Sequence, residues 1–182
     1  MKNIKVVLLG DRAVGKTIFI SQLLNRTITG RYNPTIGIDF GTYTKSGIKL
    51  LIWDTAGGDR FKAIVDKFTS ESDLGIVVYN SKRSLQSVRN YIDTVRYKAK
   101  RTPRIALVSL CTDTENEIAG QMLATTERIP FFTCAVRNRV EVIETWHHIL
   151  TFCEYELNNS EWEVDDVTPR KPVNRRAYCF WW

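Results

Sequence analysis

The sequence predicts a doubly wound α/β sheet of about six mostly parallel strands, with one antiparallel edge strand and helices on both faces. Three observations carry this. Short apolar runs alternate with stretches of helical periodicity along most of the chain. The first apolar run, Ile4–Leu9, leads through Gly10–Thr17, read GDRAVGKT, into Ile18, Phe19, Leu23 and Leu24 at helical spacing. One pair of runs is joined only by Lys45-Ser46-Gly47, a tight hairpin turn.

Taken in order, the first strand and helix are followed by a polar, turn-rich stretch, Arg26–Asn33, and then by Pro34-Thr35-Ile36-Gly37. Phe40–Thr44 alternates as a strand should, and Ile48–Trp53 returns beyond the hairpin. Asp54–Arg60 reads as a loop, with a short irregular helix over Phe61–Phe68. Leu74–Tyr79 is continuously apolar and β-branched, the signature of a buried parallel strand. Ser84–Lys98 places Leu85, Val88, Ile92 and Val95 on one helical stripe. Ile105–Leu110 is the next strand, Glu115–Ala124 a helix, and Pro130–Cys134 the last strand. Val140–Phe152 is the last helix, with Val140, Ile143, Ile149 and Leu150 expected inward. After Glu154 the pattern fails, and Asn158–Pro172 is polar and acidic with two prolines. One domain over residues 1–153 and a flexible tail over 154–182 are expected.

A chain of 182 residues, 43% of them hydrophobic, has ample material for a single core. No apolar span reaches the length of a membrane helix, and the first strand begins too early to leave room for a signal sequence. Cys111, Cys134, Cys153 and Cys179 have neither metal-like nor disulfide-rich spacing, which fits a reduced intracellular protein. The net charge is +6, although the segment from Glu154 onward holds six acids and four bases. The positive excess therefore belongs to the folded part, where Arg83, Arg89, Arg96, Lys98, Lys100, Arg101 and Arg104 cluster around one helix and its exit. A solvated helix face accounts for them; no nucleic-acid recognition module is visible, and a monomer without nucleic acid is expected.

Gly10–Thr17 has the spacing G-x-x-x-x-G-K-[ST], between a strand and a helix. Gly10 and Gly15 let the backbone curl so that successive N–H groups form a nest for phosphate oxygens. Lys16 reaches the outer phosphates, and the Thr17 hydroxyl can hold Mg²⁺. The helix start adds unpaired N–H groups and a favourable dipole. The chain is thus expected to bind a nucleoside phosphate. A second signal narrows the chemistry: Asp54, ending the third strand in Trp53-Asp54-Thr55-Ala56-Gly57, presents a carboxylate to the same Mg²⁺. Gly57 adds a main-chain N–H for a γ-phosphate, and Thr35 lies in a loop able to fold over the nucleotide and offer its hydroxyl.

These residues resemble a small GTPase of the Ras superfamily, most closely its Rab branch. Asn33-Pro34-Thr35-Ile36-Gly37-Ile38-Asp39-Phe40 and Ile52-Trp53-Asp54-Thr55-Ala56-Gly57 are close to the Rab patterns, and Asp59-Arg60-Phe61 continues them with Asp for the usual Glu. The similarity runs from about Lys5 to Phe152. It implies a small G domain that switches between Mg²⁺-GTP and GDP forms through loops 31–40 and 57–69. Implied nucleotide contacts are Gly10, Asp11, Arg12, Ala13, Val14, Gly15, Lys16, Thr17, Ile18, Pro34, Thr35 and Gly57. Around the base they are Cys111, Asp113, Cys134, Ala135 and Val136. Thr17, Thr35 and Asp54 would hold the metal, and Lys16, Thr35, Gly57, Gly58 and Arg12 occupy the catalytic positions. Effectors of such proteins read an aromatic trio, here Phe40, Trp53 and Phe68, whose alternative role is local packing. An exchange factor and a GTPase-activating protein are further implied partners.

The departures concern hydrolysis and the base. Relatives place after Asp54-Thr55-Ala56-Gly57 a Gln that orients water; this chain has Gly58. Arg12 stands where relatives carry Gly or Ser and would obstruct a partner's arginine finger, unless it bends in and stabilises the γ-phosphate itself. Losing a positioned water costs roughly one to three decades in rate, about 1.4–4 kcal/mol. Slow turnover is expected, with Gly58→Gln speeding it if Arg12 permits. The guanine motif Asn-Lys-x-Asp is represented by Leu110-Cys111-Thr112-Asp113, in which Asp113 can still accept from guanine N1–H and N2–H₂. Thr133-Cys134-Ala135-Val136 replaces Thr-Ser-Ala-Lys, leaving the Ala135 N–H for guanine O6. Adenine offers Asp113 neither donor, so guanine specificity should largely survive; weaker guanine binding and faster exchange are expected, and a relaxed preference reaching to ATP stays open. The hairpin after the second strand is also shorter than in typical Rab relatives.

Cys179, fourth from the end in Cys179-Phe180-Trp181-Trp182, has the position of a prenylated cysteine, with Arg170, Lys171, Arg175 and Arg176 upstream. Its aromatic followers fit that chemistry badly. They suit unmodified contact with a headgroup layer, or a partner's apolar pocket, equally well. Three readings therefore stand: a slow Rab-like switch recruiting effectors at the cytoplasmic face of a membrane, a pseudo-GTPase scaffold, and more distantly a P-loop kinase.

Overall fold

The computed structural model describes residues 2–28, 34–58, 61–99, 104–111 and 113–158, with residues 153–158 given by their backbone alone. The elements run β1 (Lys2–Leu9), α1 (Lys16–Leu23), β2 (Ile38–Lys45), β3 (Ile48–Thr55), α2 (Lys62–Ser70), β4 (Leu74–Tyr79), α3 (Lys82–Lys98), β5 (Arg104–Ser109), α4 (Thr114–Glu127), β6 (Phe131–Thr133) and α5 (Arg139–Asn158). They form a six-stranded sheet in the order β2-β3-β1-β4-β5-β6. Only β2 and β3 pair antiparallel; β1 pairs in parallel with both β3 and β4. The predicted α/β class is the observed one.

Side-chain alternation builds a core on each face. Ile4, Val6 and Leu8 of β1, with Leu50 and Ile52 of β3, pack under α1 and α5. Val7 and Leu9, with Val77 and Tyr79 of β4, pack under α2, α3 and α4. Phe19 of α1 stacks on Trp146 of α5 at 5.2 Å between ring centroids, and both are fully buried. Strand β1 therefore lies in the middle of the sheet with chain crossing away on either side. The crevice at its carboxyl end is where such sheets place ligands.

Local chemistry sets the boundaries. Ser46 and Gly47 both have positive φ, 50° and 82°, as a two-residue hairpin requires, and Lys45 pairs directly with Ile48. Helix α3 starts at Lys82, earlier than the apolar stripe predicts, because Ser81 caps it. Its hydroxyl accepts from Ser84 N–H while the Ser84 hydroxyl accepts from Ser81 N–H at 3.0 Å. Asp54 and Thr55 belong to β3 rather than to the predicted loop, since Ile38 and Asp39 of β2 continue the ladder beside them.

Two expectations for the last helix are corrected. Val140 is 64% exposed; the inward stripe is Val142, Trp146, Ile149 and Leu150, because Val140 lies in the first turn beside the cap. Helix α5 also continues past Glu154 to Asn158, with no glycine or proline to stop it. Cys179, its upstream basic residues and the aromatic end lie outside the described residues, as do Asn33, Asp59, Arg60, Thr112, Lys100 and Arg101. Much of the basic cluster on α3 is neutralised in place. Arg89 and Arg96 both bind Glu127 of α4, at 2.8 and 2.6 Å, and Lys98 meets Asp66 of α2 at 3.2 Å. Among the described residues no helix is long and apolar enough to cross a membrane.

Candidate functional site

The segment between β1 and α1 turns through positive φ at Gly10, Ala13 and Gly15. Gly15 is the N-cap of α1 and supplies no side-chain acceptor, so the first N–H groups of the helix face the loop's concavity. Lys16 is only 5% exposed, and its ammonium donates to the carbonyls of Gly10 and Asp11, each at 2.8 Å. Burial, partly opposed by the charges of Asp54 and Asp11, pulls its pKa down to about 8. The loop is braced from outside: Tyr91 of α3 donates to the Asp11 carboxylate at 3.0 Å, and Asn80 reaches the Ala13 carbonyl at 3.4 Å. Val14 turns its side chain into the core, so only its backbone belongs to the loop. Ile18 is half-buried on α1, and Arg12 and Ala13 are exposed.

Three oxygen-bearing residues from separate parts of the chain meet beside this loop. The Thr17 hydroxyl donates to Asp54 Oδ2 at 2.5 Å and lies 2.9 Å from the Thr35 hydroxyl, which reaches the same carboxylate oxygen at 3.3 Å. The other oxygen, Asp54 Oδ1, is buried without a hydrogen-bond partner. Burial pushes the Asp54 carboxyl above the usual carboxylate range, against the opposing pull of Thr17, Lys16 and Thr35. Two hydroxyls and a carboxylate with an unused buried oxygen suit a hard divalent cation such as Mg²⁺.

Gly57 lies directly against the loop: a Cβ there would fall 2.4 Å from the Arg12 amide nitrogen, so only glycine admits this approach. Gly58 has φ +107° with open space around it, a backbone state that a side chain disfavours even though room exists for one. The position where the resemblance expects a Gln thus carries a glycine-type conformation. Pro34 is exposed and Thr35 half-buried at the entrance.

On the far side of the loop the segments that the sequence suggests for the base come together. Leu110 is 8% exposed, and its Cδ1 stands 3.1 Å from where a Gly15 Cβ would be, so an apolar contact closes the gap between β5 and the loop. Asp113 stands at the N-cap position of α4 without a side-chain cap bond and is exposed, and Asn116 donates to its carboxylate at 2.6 Å. Cys111 Sγ accepts from the Asp113 N–H at 3.4 Å. Cys134 is buried in the core beneath α5, where burial pushes its thiol up to about 11. Val136 packs half-buried on the same core. The Ala135 N–H donates to Glu141 Oε2 at 3.0 Å.

Residues 5–154 match the family profile described as Ras family. The chain belongs to the Ras family. Among similar curated proteins are the "Ras and EF-hand domain-containing protein homolog" of Caenorhabditis elegans and of Caenorhabditis briggsae. Each is 30% identical over 130 residues, covering 68% of this chain and 20% of the relative. The human "EF-hand calcium-binding domain-containing protein 4B" is 29% identical over 186 residues, covering 96% of this chain and 25% of its own length. The chain thus spans a quarter or less of these relatives.

In this Ras-family domain the aromatic trio is contiguous. Phe40 of β2 is directly opposite Trp53 of β3, their ring centroids 6.0 Å apart, and Trp53 continues to Phe68 of α2 at 5.5 Å. Phe40 is 48% exposed, with Ile36 and Ile64 also open to solvent nearby in sequence. The trio therefore packs on itself while leaving an apolar edge outside. Sequence reasoning missed Glu141, Asn116 and Tyr91. Glu141 had a signal: Asn138-x-x-Glu141 is a helix-start pattern in which the fourth residue reaches back. Asn116 and Tyr91 act through contacts that only the folded chain creates.

Proposed function

We propose that this domain is a guanine-nucleotide switch that binds GDP and Mg²⁺-GTP, releases nucleotide readily and hydrolyses GTP slowly. The observation that carries this reading is the convergence of Thr17, Thr35 and the unpaired Asp54 Oδ1 beside Lys16. Thr17, Thr35 and Asp54 would hold Mg²⁺, which when bound neutralises phosphate charge. The loop's N–H groups and Lys16 bind the phosphates, and the contact of Gly57 with Arg12 lets the end of β3 report on the loop's occupancy. Thr35 lies just before β2 and Gly57 just after β3, so their state passes to Phe40, Trp53 and Phe68, where effectors would dock. Gly58 supports slow turnover, since no side chain there orients water.

The residues favour the Rab branch, and a role in vesicle traffic or a related signal follows from that resemblance. Similarity to longer proteins named for EF-hand domains supports an additional setting, in which a nucleotide switch works beside calcium-binding modules. A second reading, a scaffold without meaningful hydrolysis, is favoured by Gly58, by Leu110 and by the internally paired Ala135 N–H. Calorimetry of GTP, GDP and ATP with Mg²⁺, followed by single-turnover phosphate release, separates the two. Guanine-selective binding with slow release supports the switch. Failure to bind any of the three leaves the scaffold.

A further inference from the structure

On the nucleotide-binding reading just given, the base enters between Asp113 and the Ala135 main chain. The Ala135 N–H already has a strong internal acceptor. Glu141 Oε2 takes it at 3.0 Å, while Glu141 Oε1 accepts from the Asn138 side-chain amide at 2.9 Å. Both carboxylate oxygens are thereby held, and the side chain spans the loop that should meet the base. The arrangement has a local cause. Asn138 precedes α5 and accepts from the Val140 N–H at 3.1 Å, which puts Glu141 where a side chain reaches back over the helix start.

A backbone N–H offers one hydrogen. The 6-oxo oxygen of guanine is an acceptor, as is the Glu141 carboxylate, so the two compete for that hydrogen and repel each other when close. Adenine carries a 6-amino group and has no acceptor to lose there. We propose that Glu141 is a specificity-determining residue, which withholds the Ala135 N–H from 6-oxopurines and so lowers the preference for guanine over adenine nucleotides. The bond to Asn138 ties the same carboxylate to the start of α5, so guanine binding must also loosen that cap.

The test measures binding of GDP and ADP with Mg²⁺ by calorimetry on the full chain, Glu141→Ala and Glu141→Gln. Thermal melting confirms that each variant is folded. Glu141→Ala frees the N–H but removes a cap. Glu141→Gln keeps the length and the cap, and its amide can turn a donor toward the 6-oxo group. Both variants are expected to tighten GDP about tenfold, the order of one hydrogen bond to a neutral acceptor, with ADP changed by less than about twofold. Unchanged GDP affinity in folded Glu141→Ala and Glu141→Gln would overturn the proposal while leaving nucleotide binding intact. Equal tightening of GDP and ADP would overturn it as well, since a general change in the loop is not base selection. If none of the three proteins binds either nucleotide, the proposed function fails and this inference with it.

Discussion

The hydroxyls of Thr17 and Thr35 stand 2.9 Å apart, one at the start of α1 and the other in the segment before β2, and both touch Asp54. That meeting makes Asp54 the hinge of the site. Asp54 is 3% exposed, with one carboxylate oxygen unpaired, an arrangement costly in itself that a bound cation would offset. Asp54→Asn should leave the melting temperature of the nucleotide-free protein unchanged or raised. It should weaken Mg²⁺-dependent GDP binding by roughly 30- to 150-fold, about 2–3 kcal/mol. Equal loss of binding with and without Mg²⁺ would show that Asp54 is not a metal ligand.

Leu110 fills the space between β5 and Gly15 with apolar contact, at the position where the family resemblance implies Asn. Leu110→Asn exchanges that packing for polar contacts that only a bound nucleotide completes. The nucleotide-free protein should lose about 2–4 kcal/mol of stability, while GDP should dissociate about tenfold more slowly. Stopped-flow release of a fluorescent GDP and a denaturant titration check the two halves. Faster release would mean that the apolar contact itself retains nucleotide.

Gly58 is exposed, and a side chain there would meet nothing, yet its φ is +107°. Gly58→Ala should therefore lower stability by about 1 kcal/mol through backbone strain alone. The expected rate gain from Gly58→Gln carries the same penalty, because the added side chain must first move the backbone. An unchanged denaturation midpoint for Gly58→Ala would remove this obstacle and leave Arg12 as the element limiting turnover.

Lys16 titrates at about 8 in the folded, nucleotide-free protein, against an ordinary value of 10.5. Between those values the unfolded chain holds a proton that the folded one lacks, so stability rises with pH through that window; the gain is lost as pH falls through about 8. Phosphate binding has the opposite sign, since it requires the charged ammonium. GDP affinity should be flat near pH ~7 and fall toward a decade per pH unit above ~8.5, with proton uptake visible in buffers of different ionisation enthalpy. A flat profile through that range would place the Lys16 pKa near its ordinary value.

Much of the fold was legible because its signals are local. The continuous apolar run Leu74–Tyr79 matches β4 residue for residue, and GDRAVGKT between a strand and a helix marks the loop without help from the rest of the chain. Errors arose where a local pattern had two solutions. Val140 and Val142 are both apolar at the start of α5, and only packing on Phe19 through Trp146 chooses the face. The polar stretch at the end of α5 has good helix formers but no apolar stripe, so helicity there did not announce itself.

The sequence by itself determined the α/β class, the glycine-containing loop between β1 and α1, the oxygen-bearing residues proposed to hold a cation and the glycine at position 58. Each of these is written in residue type and spacing, and short-range geometry carries them. Only the tertiary structure decided what the segments around Leu110, Asp113 and Ala135 do with their hydrogen bonds. Ala135 and Glu141 are brought together by the turn into α5, Asp113 meets Asn116 once α4 is wound, and Leu110 reaches Gly15 only when β5 lies beside β4. A donor's partner depends on distance in space, and spacing along the chain does not report it.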